Sequence, residues 1–389
     1  METLKNTSDL LVVGGGVLGA FHAYAGLMRG LTVNLLERNN APRGATVRNF
    51  GQVVPSGLNL QWQGYGRKSL EIYDAIHQQG DIGIYPNGSL YIASDDEEST
   101  LLDELHAINA SVGYVSERWS ASQCQKRYPN LRSSYCQDGL YFPQEVSANP
   151  RLMIHRLHKF LDEQENYQGH FQAGATNIES DGNRVTATTT DGRSFVADQA
   201  VVCCGHEFEM LFPSLFRSSD LQAVKLQMLR LRPQMQNQMS GNILTGRTIR
   251  RYESFAECPS WNEIKERENE VDFANEFGIH ILFKQESDGS IILGDSHEYQ
   301  PAASSSQMGF DLSNDISEYF ITAGKEIFDL EHWDVDSSWY GVYSQTSHPD
   351  GIFNQTVDGN IHIATGIGGK GMTSSAGYAM HHLGEIYDD

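Results

Sequence analysis

The stretch Leu10 to Phe21, LLVVGGGVLGAF, constrains this chain more than any other. Leu10 to Val13 are a continuous apolar run suited to a central parallel strand, and Gly14, Gly16 and Gly19 follow in G-x-G-x-x-G spacing. Gly14 permits a tight turn, Gly16 lets backbone approach a pyrophosphate, and Gly19 lets the next helix lie close on the strand. That helix is expected from Val17 to about Met28, with Val17 and Leu18 in its first turn and its positive dipole end aimed at the phosphates. Gly30 is placed to end it. Thr32 to Glu37 then supplies a second strand, with Glu37 at its carboxyl end, where an acid accepts hydrogen bonds from ribose hydroxyls. Glycine turns also occur in strand-turn-helix units that bind nothing. Here strand, glycines, helix, second strand and terminal acid arrive in order, which favours a dinucleotide; Glu37 would clash with a 2'-phosphate, leaving NAD and FAD.

A secretory leader would need a basic start, whereas Glu2 and Asp9 flank the single Lys5. No apolar run approaches the length that crosses a bilayer, so a cytoplasmic protein is expected. With 50 Asp and Glu against 28 Lys and Arg the net charge is -22, which disfavours nucleic acid and anionic membranes as partners. A small anionic substrate would need a local cluster of Arg or Lys. The five cysteines, Cys124, Cys136, Cys203, Cys204 and Cys258, have no metal-type spacing and suit reduced, buried thiols. A chain of 389 residues exceeds the size at which one core stops growing, and two domains are expected.

Two later segments favour FAD. Ala197 to Glu207, ADQAVVCCGHE, is a buried strand ending in a turn at Cys204 and Gly205. Gly359 onward gives another strand, a loop carrying Gly366, Gly368, Gly369 and Gly371, and a helix from about Thr373. Such a loop can present N–H donors and a helix dipole to the pyrimidine edge of an isoalloxazine, where charge gathers on reduction. A terminal helix docked by a flexible turn is the plainer alternative.

Through VVGGGVLG, ERNNAPRGATVRNFGQVVPSG, VVCCG and GIGGKGMTSSAG the whole chain resembles the flavin-dependent amine and amino-acid oxidoreductases of the D-amino-acid oxidase superfamily, which includes glycine and sarcosine oxidases. GATVRNFG, LQMLRLRP, TIRRYESFAECPS, GDSHEY and GGKGMT resemble, more narrowly, a subfamily associated with aminophosphonate breakdown. The resemblance implies an α/β (α+β) fold, a discontinuous Rossmann-type FAD-binding domain with an inserted β-rich substrate domain. It places Gly14, Gly16, Gly19, Glu37 and the adjacent Arg38 at the adenosine diphosphate. Thr46, Arg48, Asn49 and Gly51 fall beside the flavin ring, and Gly366, Gly368, Gly369, Lys370, Gly371, Met372 and Thr373 at its pyrimidine end. The stretch matching the flavin-linking cysteine region of sarcosine oxidases, Gly341 to Gly351, has no cysteine, so FAD should be bound without a covalent link. The lysine credited there with oxygen activation falls at Ile292; this puts oxygen in doubt as acceptor, with Lys370 the candidate substitute.

The expected division assigns 1–81, 145–215 and 335–389 to FAD, and 82–144 and 216–334 to substrate. Hairpins are expected at Asn87-Gly88, Asp191-Gly192 and Asp288-Gly289, and helices at Gln63 to Gln78, Ser99 to Val112 and Ser313 to Phe328. Lys265 to Glu276 is expected to be a solvated polar segment.

The implied chemistry moves two electrons and a proton from the carbon beside nitrogen to flavin, and the imine hydrolyses to an aldehyde. His297 and Tyr252 are candidates to accept the ammonium proton, with a satisfied polar residue at a strand end as the alternative for each. A phosphonate calls for more than one cation. Arg250 and Arg251 are adjacent, and if they lie on a strand only one enters the pocket; Arg250 is chosen, with Arg48 as its partner. A surface arginine is the alternative for Arg250. Lys225 and Arg230 are weaker candidates. The expected substrate is 2-aminoethylphosphonate or an N-methyl or 1-hydroxy relative. Alternatives are a glycine, sarcosine or D-amino-acid oxidoreductase, a non-catalytic FAD-binding subunit of an electron-transfer complex, and flavin-dependent RNA modification, which the net charge disfavours.

Overall fold

The computed structural model describes residues 6–268 and 272–388, and two large sheets organise them. In the first, five strands run parallel in the order Tyr167–Phe171, Val33–Glu37, Thr7–Val13, Ser194–Val202, Ile361–Thr365. Alternation along Thr7–Val13 sends Leu10 and Val12 to one face and Leu11 and Val13 to the other, and both faces are covered. Helices Val17–Met28, Leu60–His77, Pro150–Asp162 and Gly371–Tyr387 pack Phe21, Trp62, Tyr73, Leu157 and Leu383 against the first face. The hairpin of Ala175–Ser180 and Val185–Thr189 and the antiparallel strand Phe353–Val357 complete eight strands.

The second sheet has nine strands, among them Gln222–Leu231, Val335–Gln345, Ile291–Gly294, Leu282–Gln285 and Ser89–Ala93. Helix Asn314–Ile327 buries Ile316 and Phe320 on one face, while Asp96–Ser111 buries Leu101 and Leu105 on the other. A three-stranded sheet of Gln52–Val53, Val146–Ala148 and Ile84–Tyr85 lies apart from both.

Four of the long helices begin on a side chain that accepts from their own first turn: Asn59, Asp95, Asn149 and Ser313. Val17–Met28 and Gly371–Tyr387 do not. Neither has a cap from its own N-cap residue or an acid in its first turn, so no negative charge in the first turn offsets their positive ends.

The expected helices form at Leu60–His77, Asp96–Ser111 and Asn314–Ile327, and the hairpins at Asp191-Gly192 and Asp288-Gly289 form as read. The hairpin at Asn87-Gly88 does not. Ile84–Tyr85 pairs with Val146–Ala148 and Ser89–Ala93 with Asp138–Phe142, so the turn moves the chain between sheets. Val335–Gln345, placed beyond the substrate segment by the expected division, pairs along Gln222–Leu231 in the second sheet. Within Lys265 to Glu276, residues 269–271 lie outside the described residues, and Phe273–Glu276 is a short helix whose Phe273 packs against Phe277 and Tyr319.

Candidate active site

A cavity of about 460 Å³ runs from the glycine turn of the first sheet to the strands of the second. Its first wall carries Gly14, Gly16, Val17, Leu18, Gly19, Glu37, Arg38, Cys204 and Gly205. Gly14 has φ +110, and a Cβ there would collide with the Cys203 carbonyl; one at Gly19 would collide with the Gly14 carbonyl. The turn is held from three sides. Gly15 N–H donates to Glu37 Oε2 (2.9 Å), His158 Nε2 donates to the Gly15 carbonyl (2.7 Å), and Val17 N–H donates to Thr46 Oγ1 (2.9 Å). Asn39 holds the other Glu37 oxygen through its backbone and side-chain nitrogens, each at 2.9 Å, so the carboxylate is fixed on the wall. Arg38 pairs with Glu207 at 2.6 Å.

The middle wall carries Thr46, Arg48, Asn49 and Gly51 on one loop and Gly368, Gly369, Lys370, Gly371, Met372 and Thr373 on another. Asn49 braces its loop, donating to the Thr46 carbonyl (2.7 Å) and accepting from Gly51 N–H (2.8 Å). Thr373 Oγ1 accepts from Val54 N–H at 3.2 Å, which ties the second loop to the first. Lys370 is buried, 3.5 Å from Glu253 Oε1 and 5.0 Å above the Trp62 ring. Gly366 is not on the wall. Its N–H donates to Ser344 Oγ (2.9 Å), while its neighbours Thr365 and Ile367 line the cavity. Gly341 to Gln345 line the cavity without a cysteine.

The far wall holds Arg251, Tyr252, Glu253, His280, Asp295, His297, Tyr299 and Tyr343, with Leu226, Met228 and Leu282 as its apolar floor. Arg251 Nε donates to His280 Nε2 at 3.0 Å, and Arg251 also bonds the Tyr299 side chain. The proton of His280 therefore sits on Nδ1, which is buried without a partner among the described residues. Burial holds its pKa well below the ordinary value, with His297 and Arg251 adding to the effect, so the ring is neutral. His297 donates from Nδ1 to the Gly278 carbonyl (2.8 Å) and its pKa is likewise lowered by burial, which leaves Nε2 a lone pair. Burial raises Tyr252, the other candidate proton acceptor, and that phenol stays protonated.

Arg250 is not on this wall. The segment is not a strand: a short helix, Gly246–Ile249, turns the chain, and consecutive side chains there do not alternate between two faces. Arg250 instead meets Asp95 (2.7 Å), Glu97 (3.0 Å), Glu98 (3.0 Å) and Glu268 (3.5 Å), and Arg251 takes the cavity position. Arg48 and Arg250 are therefore not partners across the cavity. Lys225 is buried away from it, paired with Glu298 at 3.1 Å and donating to the Asp311 carbonyl. Arg230 lies over Trp339 beside a separate small recess. Ile292 is buried in the second sheet, in register with Lys284, whose amine is engaged by Ala148 and Glu286.

A nucleotide turn with an anchored ribose acid, two uncapped helix ends and a polar far wall define a dinucleotide-dependent redox protein. The sequence profile of the DAO family, FAD dependent oxidoreductase, matches residues 9–382, and the chain belongs to that family. Comparison with curated proteins finds no match. Among solved structures the chain is similar to glycine oxidase from Geobacillus kaustophilus, with 15% identity, TM-score 0.75, and 98% of this chain and 95% of that one covered. L-proline dehydrogenase from P. horikoshii gives 16%, 0.78, 99% and 94%; L-alpha-glycerophosphate oxidase from Mycoplasma pneumoniae, with FAD bound, gives 16%, 0.75, 98% and 94%.

The cofactor is FAD, and the residues fit it. Both uncapped helix ends and the anchored Glu37 face one cavity, the donor and acceptor set that a pyrophosphate, a ribose and a flavin edge require. Sequence reasoning missed Arg251, His280, Asp295, Tyr299 and Tyr343. For Arg250 a signal existed: the acidic run Asp95 to Glu98 needs a cation. Arg251, Asp295 and Tyr299 lie inside the motifs TIRRYESFAECPS and GDSHEY, but for His280 and Tyr343 the sequence offers no such signal, and only the tertiary fold gathers all five.

Proposed function

We propose that this protein oxidises a small amine bearing an anionic group, and that its substrate is an aminophosphonate related to 2-aminoethylphosphonate, N-methylated or 1-hydroxylated, which it converts to an aldehyde. One observation carries the reading. Arg251 presents its guanidinium to the cavity with no carboxylate within ion-pair distance among the described residues, while the neighbouring Arg250 is surrounded by four. In a chain of net charge -22, an unpaired guanidinium on a cavity wall suits an anionic ligand. The narrower resemblance supports the phosphonate, because TIRRYESFAECPS brings Arg251 and Tyr252, GDSHEY brings Asp295, His297 and Tyr299, and GATVRNFG brings Thr46, Arg48 and Asn49 to the same cavity.

FAD supplies the acceptor for the hydride leaving the carbon beside nitrogen. The protein's own work is placement. Arg251, aligned by His280 and Tyr299, holds the anion; Lys370, on the flavin-side loop, meets the second charge of a phosphonate; Leu226, Met228 and Leu282 keep water from the reacting carbon. Rapid anaerobic bleaching of the flavin by an aminophosphonate, and slow bleaching by glycine, sarcosine and D-alanine, is the expected result. The reverse order overturns the phosphonate assignment.

A second reading, a small amino-acid oxidoreductase, is favoured by the pairing of Lys370 with Glu253, which leaves one uncompensated cation on the far wall and matches a carboxylate. Glu253→Gln separates the two. If the substrate is a phosphonate, freeing Lys370 tightens its binding; a carboxylate held by Arg251 alone is indifferent.

A further inference from the structure

Two opposite charges share the far wall without meeting. Arg251 and Asp295 both line the cavity and feel one another electrostatically, yet they make no ion pair. Asp295 is 8% exposed. No side chain of the described residues donates to its carboxyl, whose one hydrogen bond is to its own backbone; its carbonyl is taken by His280 N–H at 2.8 Å. Leaving a buried carboxylate and a half-buried guanidinium without an ion pair in one cavity is costly unless a ligand completes both. A ligand that does so is a zwitterion.

We propose that Asp295 receives the ammonium of a short zwitterionic substrate and takes its proton, while Arg251 holds the anionic end. This rests on the reading of the site as an amine-oxidising centre. In the step, one N–H bond of the ammonium breaks, its electron pair stays on nitrogen as the lone pair that oxidation of the adjacent carbon requires, and the proton passes to a carboxylate oxygen of Asp295. The competing groups are less suited. His280 has Nε2 occupied by Arg251, burial lowers the proton affinity of the free His297 Nε2, Glu253 is already engaged by Lys370 and Asn59, and the phenols of Tyr252, Tyr299 and Tyr343 are all pushed upward by burial and stay protonated. Among the described cavity residues Asp295 combines an acceptor oxygen, access to the cavity and a raised proton affinity; burial raises it, against the charge of Arg251, which favours the anion.

The test uses the flavin-loaded protein with 2-aminoethylphosphonate, its N-methyl derivative, glycine and sarcosine as substrates, and ethylphosphonate and acetate as amine-free anions. Asp295→Asn should lower the rate constant for flavin bleaching about 100-fold or more. Its pH profile should then follow the substrate's own ammonium, while the affinity for the amine-free anion, read from the flavin spectrum, is kept or improved. A wild-type rate and pH profile in D295N overturns the proposal and leaves the amine reading intact. If no amine bleaches the wild type, the amine reading fails first and this role falls with it. Should D295N lose flavin, the wild type alone decides. The amine-free anion must bind more weakly as pH rises through the ionisation of Asp295, and pH-independent binding overturns the assignment.

Discussion

The two ends of the cavity are built in different ways. The nucleotide end comes mostly from one continuous stretch, Leu10 to Gly51, whose parts contact each other, Gly15 with Glu37, Val17 with Thr46, Gly51 with Asn49, with His158, Cys204 and Gly205 added from later in the chain. The far end is assembled from Arg251–Glu253, His280, Asp295–Tyr299 and Gly341–Gln345, segments far apart in sequence that meet on and beside the second sheet. Geometry at the first end is fixed by backbone N–H groups held on nearby side chains, with glycines admitting close approach. At the second it is fixed by side-chain bonds such as Arg251 to His280. The first should tolerate no added atoms, whereas the second should change its ligand one residue at a time.

The largest effect should follow a backbone insult. Gly14→Val forces a β-branched residue to φ +110 and drives its Cβ into the Cys203 carbonyl, costing about 1–3 kcal/mol for the backbone conformation alone before the collision is counted. The expected product folds poorly or carries almost no flavin, measured as flavin absorbance per chain. Full flavin occupancy would break the distinction between the two ends.

Next in size is the contrast between adjacent arginines. Arg251→Met should lower kcat/KM by roughly 2–5 kcal/mol of lost charge pairing while leaving flavin content and Tm near wild type. Arg250→Met should do the opposite, since Asp95, Glu97, Glu98 and Glu268 lose their shared cation and breaking such a partly buried cluster costs about 3–5 kcal/mol of stability. Equal effects of the two on Tm and kcat/KM would mean that the far wall is not read one side chain at a time.

Acid should separate the ends as well. His22, His170 and His382 are buried in the first-sheet layer, held by burial at about 4, about 4 and about 2 against an unfolded value of 6.5. Below pH 6.5 the unfolded chain binds protons that the folded one refuses, so their contribution is present above 6.5 and falls by about 1.4 kcal/mol per pH unit for each histidine as pH drops toward their folded values. Glu145, buried and raised to about 7 from 4.5, has the opposite sign: the folded state binds its proton first, so it adds stability as pH falls from 7 to 4.5. Three histidines outweigh one glutamate. Thermal unfolding followed between pH 8 and pH 5 (about the range where these groups diverge) should show lower Tm and earlier flavin release at the acid end; a flat profile would remove the histidines from the balance.

The same division explains what the sequence made legible. The Rossmann strand, glycine turn, helix and Glu37 are encoded by spacing within a local stretch, and each lies where the spacing put it. Asn87-Gly88 misled because the dipeptide specifies a reversal of the chain, not the sheet that each flanking strand joins. Arg250 misled because the choice between it and Arg251 depends on Gly246–Ile249 being helical and on carboxylates some 150 residues away, reached only after folding. Asp295 lies in the GDSHEY motif, but nothing local shows that it shares a cavity wall with Arg251 without an ion pair.

The smallest effect belongs to one of the side chains that hold the nucleotide end. Thr46 Oγ1 accepts from Val17 N–H and would stand 3.2 Å from a Cβ at Gly16, so the hydroxyl fills the space that the second glycine leaves. Having accepted one hydrogen bond, it keeps its own proton, which it could donate to FAD in the cavity it lines. Thr46→Val keeps the shape and removes both bonds, and should weaken FAD by about 1 kcal/mol, roughly a fivefold faster release. Thr46→Ser keeps the hydroxyl and should restore retention. If T46S releases FAD as fast as T46V, the methyl group is what matters there, and the nucleotide end is held by packing and backbone alone.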